Sequence, residues 1–263
     1  TNTELNIMEA CVEEIAELAG EQASLIEFGS GSSMKTRMLL RHLHSPAAYV
    51  PVDISEEHLL DSQRRIQADF PDIEMIPVVA DFTHSFDLPN PMTPPLRNIV
   101  YVPGSTIGNF EQDEAIELLR VMYEEAGADG ALVIGVDLQK DPAVIHAAYN
   151  DSAGITARFN LNMLEHLNRE FGADFDLGSF EHRATYDTGR GRIVMELVSS
   201  QEQNVQLGGA RIQFAAGEAI TTEYSHKYAL EGFAAMVAAA GFAVEKVWTD
   251  PQQWFAMHYC VRD

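Results

Sequence analysis

Two glycines and an aspartate carry the first chemistry in this chain. Glu27-Phe28-Gly29-Ser30-Gly31-Ser32-Ser33 is followed, after a gap, by Val50-Pro51-Val52-Asp53. A glycine turn has no Cβ atoms in the way, so backbone N–H groups at a helix N-terminus can approach a ligand closely. An acid at the end of the next strand accepts hydrogen bonds from ribose hydroxyls. Gly29-x-Gly31 alone is a weak signal, because paired glycines are common in loops. The ordered succession of buried strand (Leu25-Ile26), turn, helix (Met34 to Leu43) and acid-ended strand (Val50 to Asp53) is stronger. It is the layout of a nucleoside-cofactor site in a doubly wound α/β fold, with an ordinary strand-to-helix turn as the alternative.

Which nucleoside follows from what surrounds the turn. A dinucleotide fingerprint wants a third glycine where the helix packs on the strand, and Ser32-Ser33-Met34 supplies none. Glu27 lies inside the first strand. An acid there suits a cofactor that carries a cationic amine and disfavours a pyrophosphate. The residues therefore favour S-adenosylmethionine (SAM) over NAD.

The elements that must position this site alternate through the first half. Ser55 to Asp69 reads as a helix with Ser55 as N-cap and Glu56-Glu57 in its first turn. Met75 to Val79 reads as a strand ending near Asp81-Phe82, and a proline-rich connection leads to the strand Ile99 to Val102. Gln112 to Ala126 follows as a helix and Ala131 to Val136 as a strand closing on Asp137. This is the βαβ rhythm of a parallel sheet. It then stops. Helical segments at Pro142 to Tyr149 and Thr156 to Phe171 precede β-type runs at Ala184 to Tyr186, Ile193 to Val198, Ile212 to Phe214 and Ala219 to Glu223. The rhythm resumes with a helix over Glu231 to Ala240 and strands at Phe242 to Thr249 and Phe255 to Val261. The fold expected is a Rossmann-like α/β sheet with an inserted α+β domain, residues 139–228 forming the insertion and residues 1–138 and 229–263 the main domain.

Composition narrows the partners. The chain has 263 residues, 17 Lys+Arg against 40 Asp+Glu, and a formal charge of −23. A surface this acidic repels phosphate backbones, so a nucleic-acid substrate is not expected and a small molecule is. Cys11 and Cys260 lie near opposite ends, and the nine histidines show no ligand spacing, so neither a disulfide framework nor a metal site is expected. No run approaches membrane-spanning length and no signal-peptide pattern is visible; a cytoplasmic monomer is the expectation. Thr1 stands where an initiator Met would, so the start is expected to have been removed or to belong to a longer chain.

Three segments occur in a telling order: Glu27 to Thr36, Pro103-Gly104-Ser105-Thr106-Ile107-Gly108-Asn109-Phe110, and Thr222-Glu223-Tyr224-Ser225-His226-Lys227. Together, over essentially the whole chain, they resemble the histidine-specific Nα-methyltransferases of ergothioneine biosynthesis. The Pro-Gly-Ser-Thr-Ile-Gly-Asn stretch is the most specific, since amino-group methyltransferases of nucleic acids and proteins usually carry Asn/Asp-Pro-Pro-Tyr/Phe there. The resemblance implies a class I methyltransferase domain that binds SAM, an inserted substrate-recognition domain, and a substrate in the cleft between them. It implies three methyl transfers to the α-amine of L-histidine, giving hercynine and S-adenosylhomocysteine (SAH). Carried over for the cofactor are Gly29, Lys35, Asp53, Asp81, Phe82 and Gly104. Carried over for histidine are Asn109 and Tyr149 on its carboxylate, Glu223 and Ser225 on its imidazole, and Met195 lining the imidazole pocket. The family also has an N-terminal segment ending in a Tyr-Tyr pair that contributes to the substrate site. This chain begins just after that position, so cofactor binding with poor turnover is expected of it as given.

The residues have readings of their own. Asp81-Phe82 suits adenine recognition, or Asp81 is a turn residue. Lys35 neutralises a methionine carboxylate, or is a solvated lysine. Asn109 follows a strand end where substrates of open α/β sheets bind, or caps the helix starting near Glu111. Tyr149 donates to a carboxylate, or packs in a core. Glu223, Ser225 and Lys227 share one strand face, which either recognises an imidazole or is an exposed polar face. No dedicated base is evident, and catalysis is expected from positioning, with Asn109 and Tyr149 as the positioning residues. The rival readings are a SAM-dependent N-methyltransferase of another amino acid or an aromatic amine such as a tryptophan derivative, and a nucleoside-binding or NAD-dependent module without transferase activity.

Overall fold

The structure is a computed structural model, and it describes residues 2–29 and 33–262. Gly31, with Ser30 and Ser32, lies outside the described residues. The chain divides into two compact units, one of residues 1–138 and 228–263 and the other of residues 139–227.

The first unit is built on an eight-stranded sheet. Its strands are β1 (Ala23–Phe28), β2 (Ala48–Asp53), β3 (Glu74–Met75), β4 (Val78–Val79), β5 (Arg97–Val102) and β6 (Ala131–Asp137), together with two strands from the chain's end. Along the sheet the order is end strand, end strand, β6, β5, β1, β2, β3, with β4 also on β2. β1 pairs in parallel with both β2 and β5, so the order reverses beside it. Ligands of open α/β sheets bind at the carboxyl edge of such a switch point. β1, β2 and β6 are buried along nearly their whole length, which is why they read as continuous apolar runs rather than alternating ones.

The expected strand over Met75 to Val79 is two short pieces. Pro77 falls between β3 and β4 and has no N–H to give a ladder. Helices α2 (Ser33–His42) and α3 (Glu56–Asp69) flank β2. Ser55 stands at the N-cap of α3, yet its hydroxyl makes no cap bond; its own N–H donates instead to Asp53 Oδ1 at 2.9 Å.

Helix α1 (Asn2–Ala19) precedes β1, and no reading above anticipated it. Its buried stripe Ile7, Met8, Cys11, Val12 and Ile15 has helical spacing and packs in the core that contains Leu25, Tyr49 and Tyr101. The opposite face of the sheet packs against α4 (Gln112–Ala126), with Leu118, Leu119 and Met122 fully buried.

In the second unit, α5 (Pro142–Tyr149) and α6 (Ile155–Phe171) precede β7 (Phe180–Asp187), β8 (Arg192–Ser199), β9 (Gln203–Leu207), β10 (Ala210–Phe214) and β11 (Ala219–His226). β9 was not anticipated; among the described residues it pairs with β10 alone, as a two-stranded ribbon. β8 lies between β7 and β11 in an antiparallel sheet. Ala184, Ile193 and Met195 on one face of this sheet pack with Ile145 of α5, and Leu197 packs with Leu164 of α6.

Tyr228 returns to the first unit, its N–H on the Asp137 carbonyl at 2.9 Å and its hydroxyl on the Ile107 carbonyl at 3.2 Å. Helix α7 (Leu230–Ala239) then leads to β12 (Phe242–Thr249) and β13 (Phe255–Arg262), and β13 inserts antiparallel between β6 and β12.

Candidate functional site

Five of the six expected cofactor residues lie at or just beyond the carboxyl ends of β1, β2, β4 and β5. Gly29 follows β1 with φ +76°, in the left-handed region that a Cβ makes costly, and its N–H donates to Val52 O at 2.9 Å. Gly104, one residue beyond Pro103 after β5, has φ +85°. A Cβ there would meet Lys35 Nζ at 3.6 Å, so the turn backbone lies close beside an ammonium group. Asp53 ends β2, half-buried. Asp81 and Phe82 follow β4. The Asp81 carboxylate accepts the Thr83 N–H at 3.0 Å and the Thr83 hydroxyl at 2.6 Å, which holds its pKa below the usual carboxylate value. The Phe82 ring stands 5.4 Å from that of Phe28.

Lys35, the sixth, is not a solvated lysine. It is 6% exposed, on the first turn of α2, and its Nζ donates to Glu4 Oε2 at 2.6 Å. The other oxygen of Glu4 accepts the Gly104 N–H at 2.7 Å. A carboxylate of α1 therefore ties together the groups beside two turns of the sheet edge. Sequence reasoning missed Glu4; a glutamate on the buried stripe of an amphipathic helix was the available signal.

Glu27 also differs from its expected role. Its carboxyl accepts the Thr36 hydroxyl at 2.7 Å and the Tyr49 hydroxyl, within the core beneath the turn. Burial pushes its pKa up to about 7, against the lowering effect of those two hydrogen bonds and of the Lys35 charge. The acid in the first strand is thus already satisfied by its own core.

On the far side of β5, Asn109 is exposed at the end of a short 3-10 helix, Thr106–Asn109, and its side chain makes no hydrogen bond among the described residues. It does not cap α4. Glu111 occupies that position, and its N–H donates to Glu114 at 3.0 Å. Ser105, in the left-handed region at φ 65°, anchors the loop by accepting the Asp137 N–H at 2.9 Å.

The expected histidine-binding residues other than Asn109 meet in the second unit. Tyr149 ends α5; Glu223 and Ser225 lie on β11; Met195 lies on β8 directly opposite Glu223 in the ladder. A β-bulge at Thr221–Glu223 shifts the register. The extra residue turns Glu223, and Ser225 after it, to the face that Ile220 began. On that face the Tyr149 hydroxyl and Ser225 Oγ stand 2.8 Å apart. Lys227 Nζ donates to both, at 2.8 and 2.7 Å, and lies 4.8 Å from the Tyr149 ring centroid. Burial raises the Glu223 pKa, while the Lys227 charge opposes the rise. Met195, Ala184 and Ile193 make the floor apolar. The face is neither a plain core nor a solvated surface: it sets an acid and a hydroxyl–ammonium cluster over apolar side chains.

Gly29 and Gly104, both at positive φ, with an acid and an aromatic ring on the same strand-end edge, fit a nucleoside cofactor with an amino-acid tail. A family model described as "Histidine-specific methyltransferase, SAM-dependent" matches residues 1–262. The chain belongs to this family. Among relatives of these histidine-specific methyltransferases, the histidine N-alpha-methyltransferase of Mycolicibacterium smegmatis is 37% identical over 100% of this chain and 82% of its own length. Ergothioneine biosynthesis protein 1 of Neurospora crassa is 28% identical over 95% of this chain and 29% of its own length. The fold is that of class I methyltransferases. A Burkholderia thailandensis 1,6-didemethyltoxoflavin-N1-methyltransferase, solved with 1,6-didemethyltoxoflavin and S-adenosylhomocysteine, aligns with a TM-score of 0.52 at 10% identity, over 97% of this chain and 78% of that one. As in other histidine-specific methyltransferases, SAM is the cofactor. Among the described residues there is no metal-binding cluster, and no helix is long and apolar enough to cross a membrane.

Proposed function

We propose that this chain transfers methyl groups from SAM to the α-amine of L-histidine, three times in succession, to give hercynine for ergothioneine biosynthesis. The observation that carries this reading is the polar cluster of Glu223, Ser225, Tyr149 and Lys227 over an apolar floor, in a member of a histidine-specific family. Bound SAM would supply an electrophilic methyl on a sulfonium. Gly29, Gly104 and Lys35 would hold its methionine portion, Asp53 its ribose, and Asp81 with Phe82 its adenine.

The chain's own residues then have two tasks. Asn109 and Tyr149 hold the histidine carboxylate. Glu223 accepts an imidazole N–H, Ser225 meets the other side of the ring, and Met195 packs against it. With both ends of the amino acid fixed, the amine lone pair is aligned, and positioning of this kind accounts for much of a displacement's barrier. An α-amine has a pKa of about 8 and must lose a proton before each transfer; burial favours the neutral form needed for attack. The reading takes a free amino acid rather than a nucleic acid, which the charge of −23 supports.

Calorimetry tests this directly. With SAH present, histidine should bind, and tryptophan, lysine and leucine should bind at least tenfold more weakly. Equal binding of histidine and tryptophan would contradict the reading.

A further inference from the structure

Lys227 is the one member of the second unit's polar cluster to which no role has been given. It is 3% exposed, and its ammonium donates to two hydroxyl oxygens that also touch each other. Hydrogen counting constrains what such a trio can do. An ammonium donates and never accepts, whereas each hydroxyl has one hydrogen and accepts through its oxygen. Of the two hydroxyl hydrogens, one lies between Tyr149 and Ser225. The other cannot turn to Lys227, which has nothing to receive it, so it points away from the trio. The shared hydrogen can turn outward as well when a ligand offers a second acceptor, because Lys227 still donates to both oxygens. Tyr149 then serves a carboxylate while Ser225 serves a ring nitrogen. Without the lysine, either oxygen could turn a lone pair outward and accept from a ligand instead.

We infer that Lys227 is a positioning residue for substrate recognition: it commits the Tyr149–Ser225 pair to donating, and so reserves this corner for a lone-pair acceptor of the amino acid, a neutral ring nitrogen or a carboxylate oxygen. Glu223, on the same face of β11, supplies the complementary acceptor. An N–H at one end and a lone pair at the other is the pattern of a neutral imidazole. A cationic side chain would place donors against donors beside a buried positive charge. This assignment rests on the histidine reading above and deepens it.

The test is a double-mutant cycle on histidine affinity, read by calorimetry with SAH present. Lys227→Met in the wild-type background should weaken histidine by about tenfold or more, the scale of hydrogen bonds that involve charged groups. In a Tyr149→Phe/Ser225→Ala background the same change should cost less than about threefold, because the hydroxyls through which it acts are gone. SAH affinity should stay within about twofold throughout, which also reports that each variant is folded. Equal losses in the two backgrounds, or no loss in the first, would overturn the inference while leaving the histidine reading intact. Failure of the wild type to bind histidine would overturn both. Should Lys227→Met not fold, Lys227→Gln goes through the same cycle. Its amide can still donate to the hydroxyls, so its loss in the wild-type background should be smaller than about tenfold yet still exceed its loss in the Tyr149→Phe/Ser225→Ala background.

Discussion

Lys35 and Glu4 form a buried ion pair, Nζ to Oε2 at 2.6 Å, with side-chain exposures of 8% and 3%. The pair joins the first helix of the chain to the helix that follows the glycine turn. Removing one partner of such a pair leaves a charge buried without compensation, which costs about 3–5 kcal/mol, whereas replacing both by apolar residues can be neutral. Glu4→Ala should therefore lower stability by about 3 kcal/mol, and Glu4→Leu/Lys35→Met should recover most of it. Urea unfolding checks this. Equal destabilisation by the single and double variants would remove the pair from the account.

Gly104 makes a separate prediction. At φ +85° an L-residue is strained by about 1–2 kcal/mol, and the new Cβ would sit against Lys35 Nζ at 3.6 Å. Gly104→Ala should weaken SAH binding by about tenfold with a modest loss of stability. Calorimetry with SAH reads the first and thermal unfolding the second.

Two buried groups should shape the dependence of stability on pH, with opposite signs. Glu27, raised by burial from 4.5 to about 7, keeps its proton in the folded state where the unfolded chain has lost it. Its contribution is present below pH 4.5 and is lost as pH rises through 7. His258, lowered by burial from 6.5 to about 4, does the reverse. The unfolded chain gains a proton below pH 6.5 that the folded state refuses, so stability is lost as pH falls toward 4. Each effect is on the order of 3 kcal/mol, and they oppose one another across the shared window. In the wild type the two groups act in opposite directions between pH 4.5 and 6.5. His258→Phe, which keeps a ring beside Phe233, should lose stability as pH rises there, and Glu27→Gln should gain it. Urea unfolding across this range decides, and parallel profiles for the two variants would contradict the assignment.

Glu223 carries the chemistry proposed for the imidazole. Glu223→Ala should reduce kcat/KM for histidine by about tenfold to a hundredfold, the cost of a hydrogen bond to a charged group, and leave SAH affinity within about twofold. Steady-state kinetics with calorimetry gives both numbers. Unchanged histidine kinetics would remove the role.

The parts of the fold that could be read from sequence are those where local pattern and tertiary position agree. β1, β2 and β6 are continuous apolar runs because both of their faces are covered, and the capped, amphipathic α4 could be placed over Gln112 to Ala126 from its periodicity alone. α1 was missed although its stripe is helical; it precedes the βαβ rhythm that organised the reading. β9 was missed because it is short and polar, with only Val205 buried, and its partner is a ribbon rather than a sheet. Gly29 announced a turn, since positive φ selects its residue type, whereas Gly104 was named only through the family resemblance. What contacts the side chains would make was less legible. Lys35 and Glu4 lie far apart in the chain, and Glu27 finds Thr36 and Tyr49 in a core that no single segment reveals. The Tyr149–Ser225–Lys227 cluster joins a helix end to a strand beyond a bulge, and a bulge changes which residues share a face without marking the sequence.

The central claim is that this chain methylates the α-amine of histidine. Incubation with SAM and a panel of amino acids, read by mass spectrometry, tests it most directly. The account predicts histidine carrying up to three added methyl groups on its α-nitrogen, with a matching yield of SAH and no methylated product from tryptophan, lysine or leucine. Methylation of tryptophan in preference to histidine, or of the imidazole ring rather than the α-amine, would contradict it.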